Sequence, residues 1–415
     1  VVPPGIQKGE YQELAALFFL QAMANGMWLV PLSTILAAHG LQSVRPYAFA
    51  TTAVAALVSP LIAGAMADRH ASPVAVLRAL SMASAGTMCV ATFAIQHHAP
   101  PASVLTLIQV YALCAVPTGS ICNTVVFSRL RNSQRQFGPI RAAATVGWIC
   151  GCLIISALHA DGTSRAGYVG AAAWFILGLF TFSLPSVPPP PTFGSTTMIQ
   201  RLGWDALALL RNHDHRVVFI TAALLSIPIA AFYPYTPQHL QNLGFQRISA
   251  WMALGQVTEV VAMFTLGQLF TRWRLKWIFV AGLGFSVLRY LLCAMNGNFW
   301  LLSGIFLHGL SFTLFFITAQ IYLNERVDTA WRARAQALMS LMNSGIGYFV
   351  GYLFGGFWLS YCSRSGTTQW SLYWSVLAGM AALVLVYFLC AYHGVGLPRR
   401  VQLATGKAES SPEVG

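Results

Sequence analysis

"PSVPPPPTFGSTTMIQRLGWDALALLRNHDH", residues 185–215, decides how this chain is organised. It opens with five prolines in seven residues, which no helix accommodates, and so reads as an extended spacer. Its second part places Met198, Leu202, Ala206, Leu209 and Leu210 at helical spacing, the pattern of a helix lying along a membrane surface. On each side of it lie six long apolar runs. The stretch therefore divides the chain into two sixes.

The 415 residues are 56% hydrophobic and 8% charged, with a mean hydropathy of +0.63. A soluble domain carries about 25% charged residues, so this chain has too few to cover a water-facing surface. Apolar runs long enough to cross a bilayer, about 20 residues each, are expected at 13–37, 46–66, 74–95, 102–127, 138–158, 166–184, 216–237, 249–271, 277–295, 299–322, 336–359 and 371–393. They are Ala- and Leu-rich and free of turn clusters, hence helical. Of the 24 basic residues, 18 fall on one set of alternating connections and 4 on the other. The positive-inside rule puts both termini in the cytoplasm. The expected fold class is an all-α polytopic membrane protein with twelve transmembrane helices in two six-helix halves, 1–184 and 216–398. A cytoplasmic loop, 185–215, joins the halves. A small, polar tail, 399–415, reads as disordered. The first residues, "VVPPGIQKGEYQEL", lack the basic region and short apolar stretch of a cleavable signal.

The net charge of +13 does not point to nucleic acid, because the bases lie in short connections between apolar runs. Seven of the eight cysteines lie within apolar runs, which reads as packing rather than a disulfide framework. No metal cluster and no nucleophile–base pair stands out, so no metal, cofactor or enzymatic activity is expected.

The acids are more informative. Of eleven, all but one lie in loops, tails or near a span's end; Glu259, in "ALGQVTEVVAMF" (253–264), is halfway along the eighth run. At 1.5 Å per residue it is roughly 18 Å from either end. A carboxylate there faces a wet cavity, pairs with a cation, or stays protonated because desolvation favours the neutral form. A proton carrier and a packing acid hydrogen-bonded to a neighbouring helix are the two readings. Gln256 shares its helix face and fits either a polar ligand or an interhelical hydrogen bond.

Two bases also fall inside runs. Arg141 begins the fifth, with Thr145 one turn on and Pro139 suited to a first helical turn; by itself it reads as snorkelling to the headgroups. Arg289 is deeper and fits snorkelling or a cavity equally. Span seven, "IPIAAFYPYTPQHL" (227–240), carries three prolines that free backbone carbonyls, with Phe232, Tyr233 and Tyr235 crowding the break. Tyr235 suits an aromatic belt at the interface; Tyr233 suits a ligand. Gly347, Gly351 and Gly355 make a small-residue packing face. His213 and His215 read as a solvated loop.

Twelve spans in two sixes, with "GAMADRH" (64–70) in the second inner-side connection, resemble the major facilitator superfamily. In its G-x-x-x-D-R loop a small residue and two charges latch the inner gate, which assigns gating to Gly64, Asp68 and Arg69. "FGPIRAAATVGWI" (137–149), "GQVTEV" (255–260), "VLRYLLCAMNG" (287–297), "HGLSFTLFF" (308–316) and "NERVDTAWRARAQALMSLMNSGIG" (324–347) resemble one branch, the bacterial nucleoside:proton symporters. "FLQAMANGMW" (19–28), "PTGSICNT" (117–124) and "GWDALALLRN" (203–212) echo it. The resemblance implies proton-coupled import of a nucleoside bound between the halves, by a monomer in a bacterial inner membrane. It makes Glu259 and Arg141 the coupling residues. Gln256 and Thr145 become substrate contacts, with Tyr233, Phe312, Thr313, Phe316, Gln21 and Trp28 completing the expected binding set. The sequence departs from the family where an acid usually follows the aromatic residue: here Thr313 follows Phe312. No Gln or Asn stands in span seven near Ala230 or Tyr233. These departures leave room for another polar solute, such as a sugar, peptide fragment or drug, and a non-transporting membrane sensor is the remaining alternative.

Overall fold

A computed structural model describes residues 7–68, 72–130, 133–185, 204–328, 331–363 and 366–394. Each of the twelve apolar stretches holds a helix, and no strand occurs among the described residues. Among the described residues, ten helices or bent helix pairs are long and apolar enough to cross a membrane. The other two stretches are Arg45–Asp68, of 24 residues, and Arg165–Phe180, an apolar helix of 16.

Several spans are interrupted where the sequence dictates it. The first breaks between Lys8–Leu29 and Leu32–Ala38, at Pro31. The seventh breaks at Ala231, between His213–Ala230 and Phe232–Asn242, just after Pro228. Proline cannot donate the helical hydrogen bond, and the carbonyls around the break find other partners. The Pro228 oxygen accepts from Tyr290 Oη at 2.8 Å, and Ser33 Oγ donates to the Pro234 oxygen. The tenth and eleventh spans contain π-helical turns, Thr313–Ile317 and Leu341–Gly347.

One large buried cluster is made mostly by the helices up to 185 and a second mostly by those from 204 onward, each taking in a few residues of the other half; Leu266, Ile278 and Leu314 form a small third cluster. The halves meet along three seams: Ser133–Ala157 against Ile248–Met252 and Leu254–Arg272; Arg45–Asp68 against Tyr348–Cys362; and Leu32–Ala38 against Phe232–Asn242. At the end of the bundle remote from the termini the seams are closed by polar contacts. Asp161 Oδ1 accepts from the Ser249 N–H at 2.6 Å, Ser156 Oγ from the Ala250 N–H at 2.9 Å, and Arg45 donates to Gln238 Oε1.

Four local expectations are corrected. Pro139 lies inside the helix Ser133–Ala157, not in its first turn, because that helix starts six residues earlier. Tyr235 is no interfacial belt residue: it is 1% exposed, edge-on to Tyr373 in the core. His213 and His215 form the first turn of His213–Ala230, which Asn212 caps by accepting from the His215 N–H at 3.1 Å. The amphipathic piece of the central stretch is, where described, a 3-10 helix, Trp204–Arg211, ended by that cap. The rest of it, and the tail expected to be disordered, lie outside the described residues.

Candidate functional site

The close crossing of Leu254–Arg272 with Asn298–Phe312 sets the position of Glu259. Gly255 faces His308, where an added Cβ would lie 3.2 Å from that side chain, and Gly309 abuts the backbone of Glu259. Thr258 Oγ1 donates to the Gly255 oxygen at 2.9 Å and to the Phe306 oxygen of the neighbouring helix at 2.5 Å. Two glycines and a bridging threonine thus hold the backbone of the Glu259 turn. The residue is half-buried although it stands mid-span. It feels the Arg141 guanidinium electrostatically across the seam without a direct ion pair, and it also senses Tyr233 and Tyr348. The carboxylate thus faces those three groups at the seam between the halves.

Gln256, one turn away and 4% exposed, donates from Nε2 to Tyr233 Oη at 3.1 Å; its Oε1 is buried without a partner. From the other half the Trp148 ring approaches Tyr233 at 5.8 Å, with its Nε1–H also unpartnered. Trp148 lies seven residues after Arg141 and three after Thr145, so all three share one helix face. That face is brought up against the first helix by close packing: a Cβ on Gly151 would lie 2.6 Å from the Met23 oxygen, and Gly26 faces Trp148. Sequence reasoning did not single out Trp148, although the helical spacing from Arg141 leads directly to it.

The expected residues are not all in one place. Gln256, Tyr233, Glu259 and Arg141 converge on the seam between the halves, and Thr145 is buried on the Arg141 helix. Phe312 leans on His308 at 6.1 Å and on Phe316 at 5.2 Å; Phe316 is 2% exposed. Thr313 is buried, its hydroxyl without a partner. Gln21 donates to Thr118 Oγ1 at 3.1 Å inside the N-terminal half. Trp28 packs edge-on to Tyr111 in that half's core, not against Gln256. Of the gating residues, Arg69 lies outside the described residues, and for Gly64 and Asp68 only the helical backbone is described.

Arg141 lies over the Phe18 ring at 5.9 Å, turned into the protein. Arg289 does not snorkel either: at 1% exposure its Nη1 lies 2.5 Å from His308 Nδ1. His308 was not expected to matter.

Two helical halves meeting on a seam of polar groups have the architecture of a secondary transporter of the major facilitator fold. The profile of the nucleoside H+ symporter family matches residues 10–394. The chain belongs to that family. It is 31% identical over 397 residues to YegT of Escherichia coli (strain K12), covering 91% of this chain and 92% of that one. With the xanthosine permease of the same organism it shares 25% identity over 400 residues, covering 91% and 95%. The crystal structure of the nucleoside transporter NupG superposes with a TM-score of 0.79 at 24% sequence identity, covering 92% of this chain and 99% of that one. A peptide transporter of the POT family, PepTSo, superposes at 0.72 with 14% identity, covering 96% and 99%, a likeness of fold alone. The chain is accordingly a multi-pass membrane transporter, not an enzyme.

Proposed function

We propose that the chain imports nucleosides together with protons by alternating access, crossing a bacterial inner membrane twelve times as a monomer with both termini cytoplasmic. The family supplies the class of transport, and the names of relatives, xanthosine permease and nucleoside permease, point to nucleosides as the solute. The observation that carries the coupling role is Glu259: a mid-span carboxylate, half-buried at the seam, opposite Arg141 on the other half.

In this reading Glu259 takes a proton when the cavity opens outward. Protonation removes its attraction to Arg141, which changes how the two halves hold together. The nucleoside binds between Gln256 and Tyr233 on one side and Arg141, Thr145 and Trp148 on the other. The unpartnered Gln256 Oε1 and Trp148 Nε1–H match the donors and acceptors of a base or ribose. Phe312 and Phe316 supply apolar surface, Thr313 a hydroxyl in place of an acid, and Gln21 a polar wall. Trp28 acts by supporting the first helix. Gly64, Asp68 and Arg69 latch the cytoplasmic gate. The six-helix halves, 1–184 and 216–398, rock about the 185–215 connection. With both termini inside, the contacts of Asp161, Ser156 and Arg45 close the outer end, and the cavity opens inward.

Uptake of a labelled nucleoside panel, xanthosine included, by cells expressing the chain tests this at two external pH values. Accumulation greater at acidic pH is the expected result. Equal exclusion of every nucleoside, with uptake of a sugar or peptide instead, contradicts it.

A further inference from the structure

Behind the Gln256–Tyr233 pair lies a second charged group that the coupling scheme does not use. Arg289 and His308, 1% and 3% exposed, meet at 2.5 Å between guanidinium Nη1 and ring Nδ1. Among the described residues no carboxylate pairs with Arg289. Aromatic faces surround it instead: its guanidinium carbon lies 4.8 Å from the Phe232 centroid and 4.7 Å from that of Tyr290. Phe232 stacks in turn on His308, with centroids 4.1 Å apart and planes 11° from parallel. The cluster abuts both halves of the polar pair, since Phe232 precedes Tyr233 and His308 packs on Gly255, next to Gln256.

A guanidinium has donors only. For the contact to be a hydrogen bond, His308 Nδ1 must accept, which fixes the ring as the neutral tautomer with its proton on Nε2. A protonated ring would turn an N–H toward the guanidinium and set two cations together where no water screens them. The other titratable groups facing the pair are Tyr290 and Cys293 from the Arg289 helix, Tyr233 from Phe232–Asn242 and Tyr348 from Tyr348–Cys362; Glu259 on Leu254–Arg272 senses Tyr233 and Tyr348 rather than the pair. Arg141 faces Glu259 from the other half. None of these relieves the conflict in direct contact with the ring.

We infer that Arg289 is a positioning residue that holds His308 neutral, so that the transported proton is confined to Glu259. This rests on the transport reading above. Its consequence is a pH profile governed by one carboxylate, although a histidine stands beside the site.

The test compares pH profiles of nucleoside uptake for the wild type, Arg289→Gln, Arg289→Lys and the double variant Arg289→Gln/His308→Asn. Wild-type uptake rises steadily as the outside is acidified. Burial still disfavours a charged ring, but without the fixed charge beside it His308 can take a proton as the outside is acidified, so Arg289→Gln uptake turns over and falls about tenfold between pH 7.5 and 5.5. Arg289→Lys keeps the wild-type shape at whatever rate remains, and the double variant loses the fall. An Arg289→Gln profile of wild-type shape, or a fall that persists in the double variant, overturns the inference. Absence of uptake by the wild type itself would instead defeat the transport reading. A second measurement needs no variant to function: in 15N-histidine-labelled protein the His308 resonance, assigned by its loss in His308→Asn, keeps the neutral Nε2–H pattern from pH 8 to 5. Protonation with a midpoint near 6.5 overturns the inference independently.

Discussion

Tyr233 and Gln256 make the one direct side-chain hydrogen bond within the candidate binding set, and it leaves Gln256 Oε1 free for another donor. Tyr233→Phe should release the amide and weaken nucleoside affinity by about 1 kcal/mol, roughly fivefold, with the maximal rate little changed. A titration of uptake against nucleoside concentration reads this directly. Gly309→Ala is a harsher change. The added methyl runs into the Glu259 backbone, and overpacking of this kind costs about 1–3 kcal/mol; thermal unfolding in detergent should move down accordingly. At this scale Glu259 was legible from sequence because a charge in the middle of an apolar run is conspicuous. His308 and Trp148 were not: an imidazole and an indole in apolar runs look like packing until the groups opposite them are known.

The seventh span and the outer seam act together as elements. The small-residue face of the eleventh span packs on the first helix of the broken seventh: a Cβ on Gly347 would lie 2.6 Å from Ser226 Cβ, and one on Gly351 2.7 Å from Ala230 Cβ. Beyond the break, Phe232–Asn242 reaches the N-terminal half through the contacts of Ser33 and Arg45. Asp161 adds a charged acceptor to the start of Ile248–Met252 and is further tied to Ser156 Oγ at 2.8 Å. Asp161→Ala should loosen that end and shift the population toward the outward-open form by about 1–3 kcal/mol, a change of about 5- to 150-fold. Spin labels at the exposed Gln42 and Gln241, one on each half, should report a longer distance in the variant. An unchanged distance distribution would mean that the other seam contacts suffice. From sequence Asp161 reads only as a loop acid, because nothing there tells which loop of one half touches which helix of the other. Helix existence was legible almost everywhere from apolar length. Helix interruptions were legible at the span-seven prolines, but the π-helical turns carry no proline to announce them.

At the scale of the whole molecule, a helical membrane bundle with a polar seam follows from hydropathy and the central stretch, and the family profile spans nearly the entire chain. Orientation rests on the asymmetry of basic residues, and a reporter fused to the C-terminus should be active only on the cytoplasmic side. The substrate is the least legible part, since it depends on a few polar atoms facing the cavity. The coupling claim is sharper. Its most direct test reconstitutes the wild type and Glu259→Gln in proteoliposomes and follows labelled nucleoside under an inward proton gradient and, separately, in exchange against internal nucleoside. The account predicts gradient-driven accumulation by the wild type alone, with exchange retained in Glu259→Gln. Full gradient-driven accumulation by Glu259→Gln would contradict it.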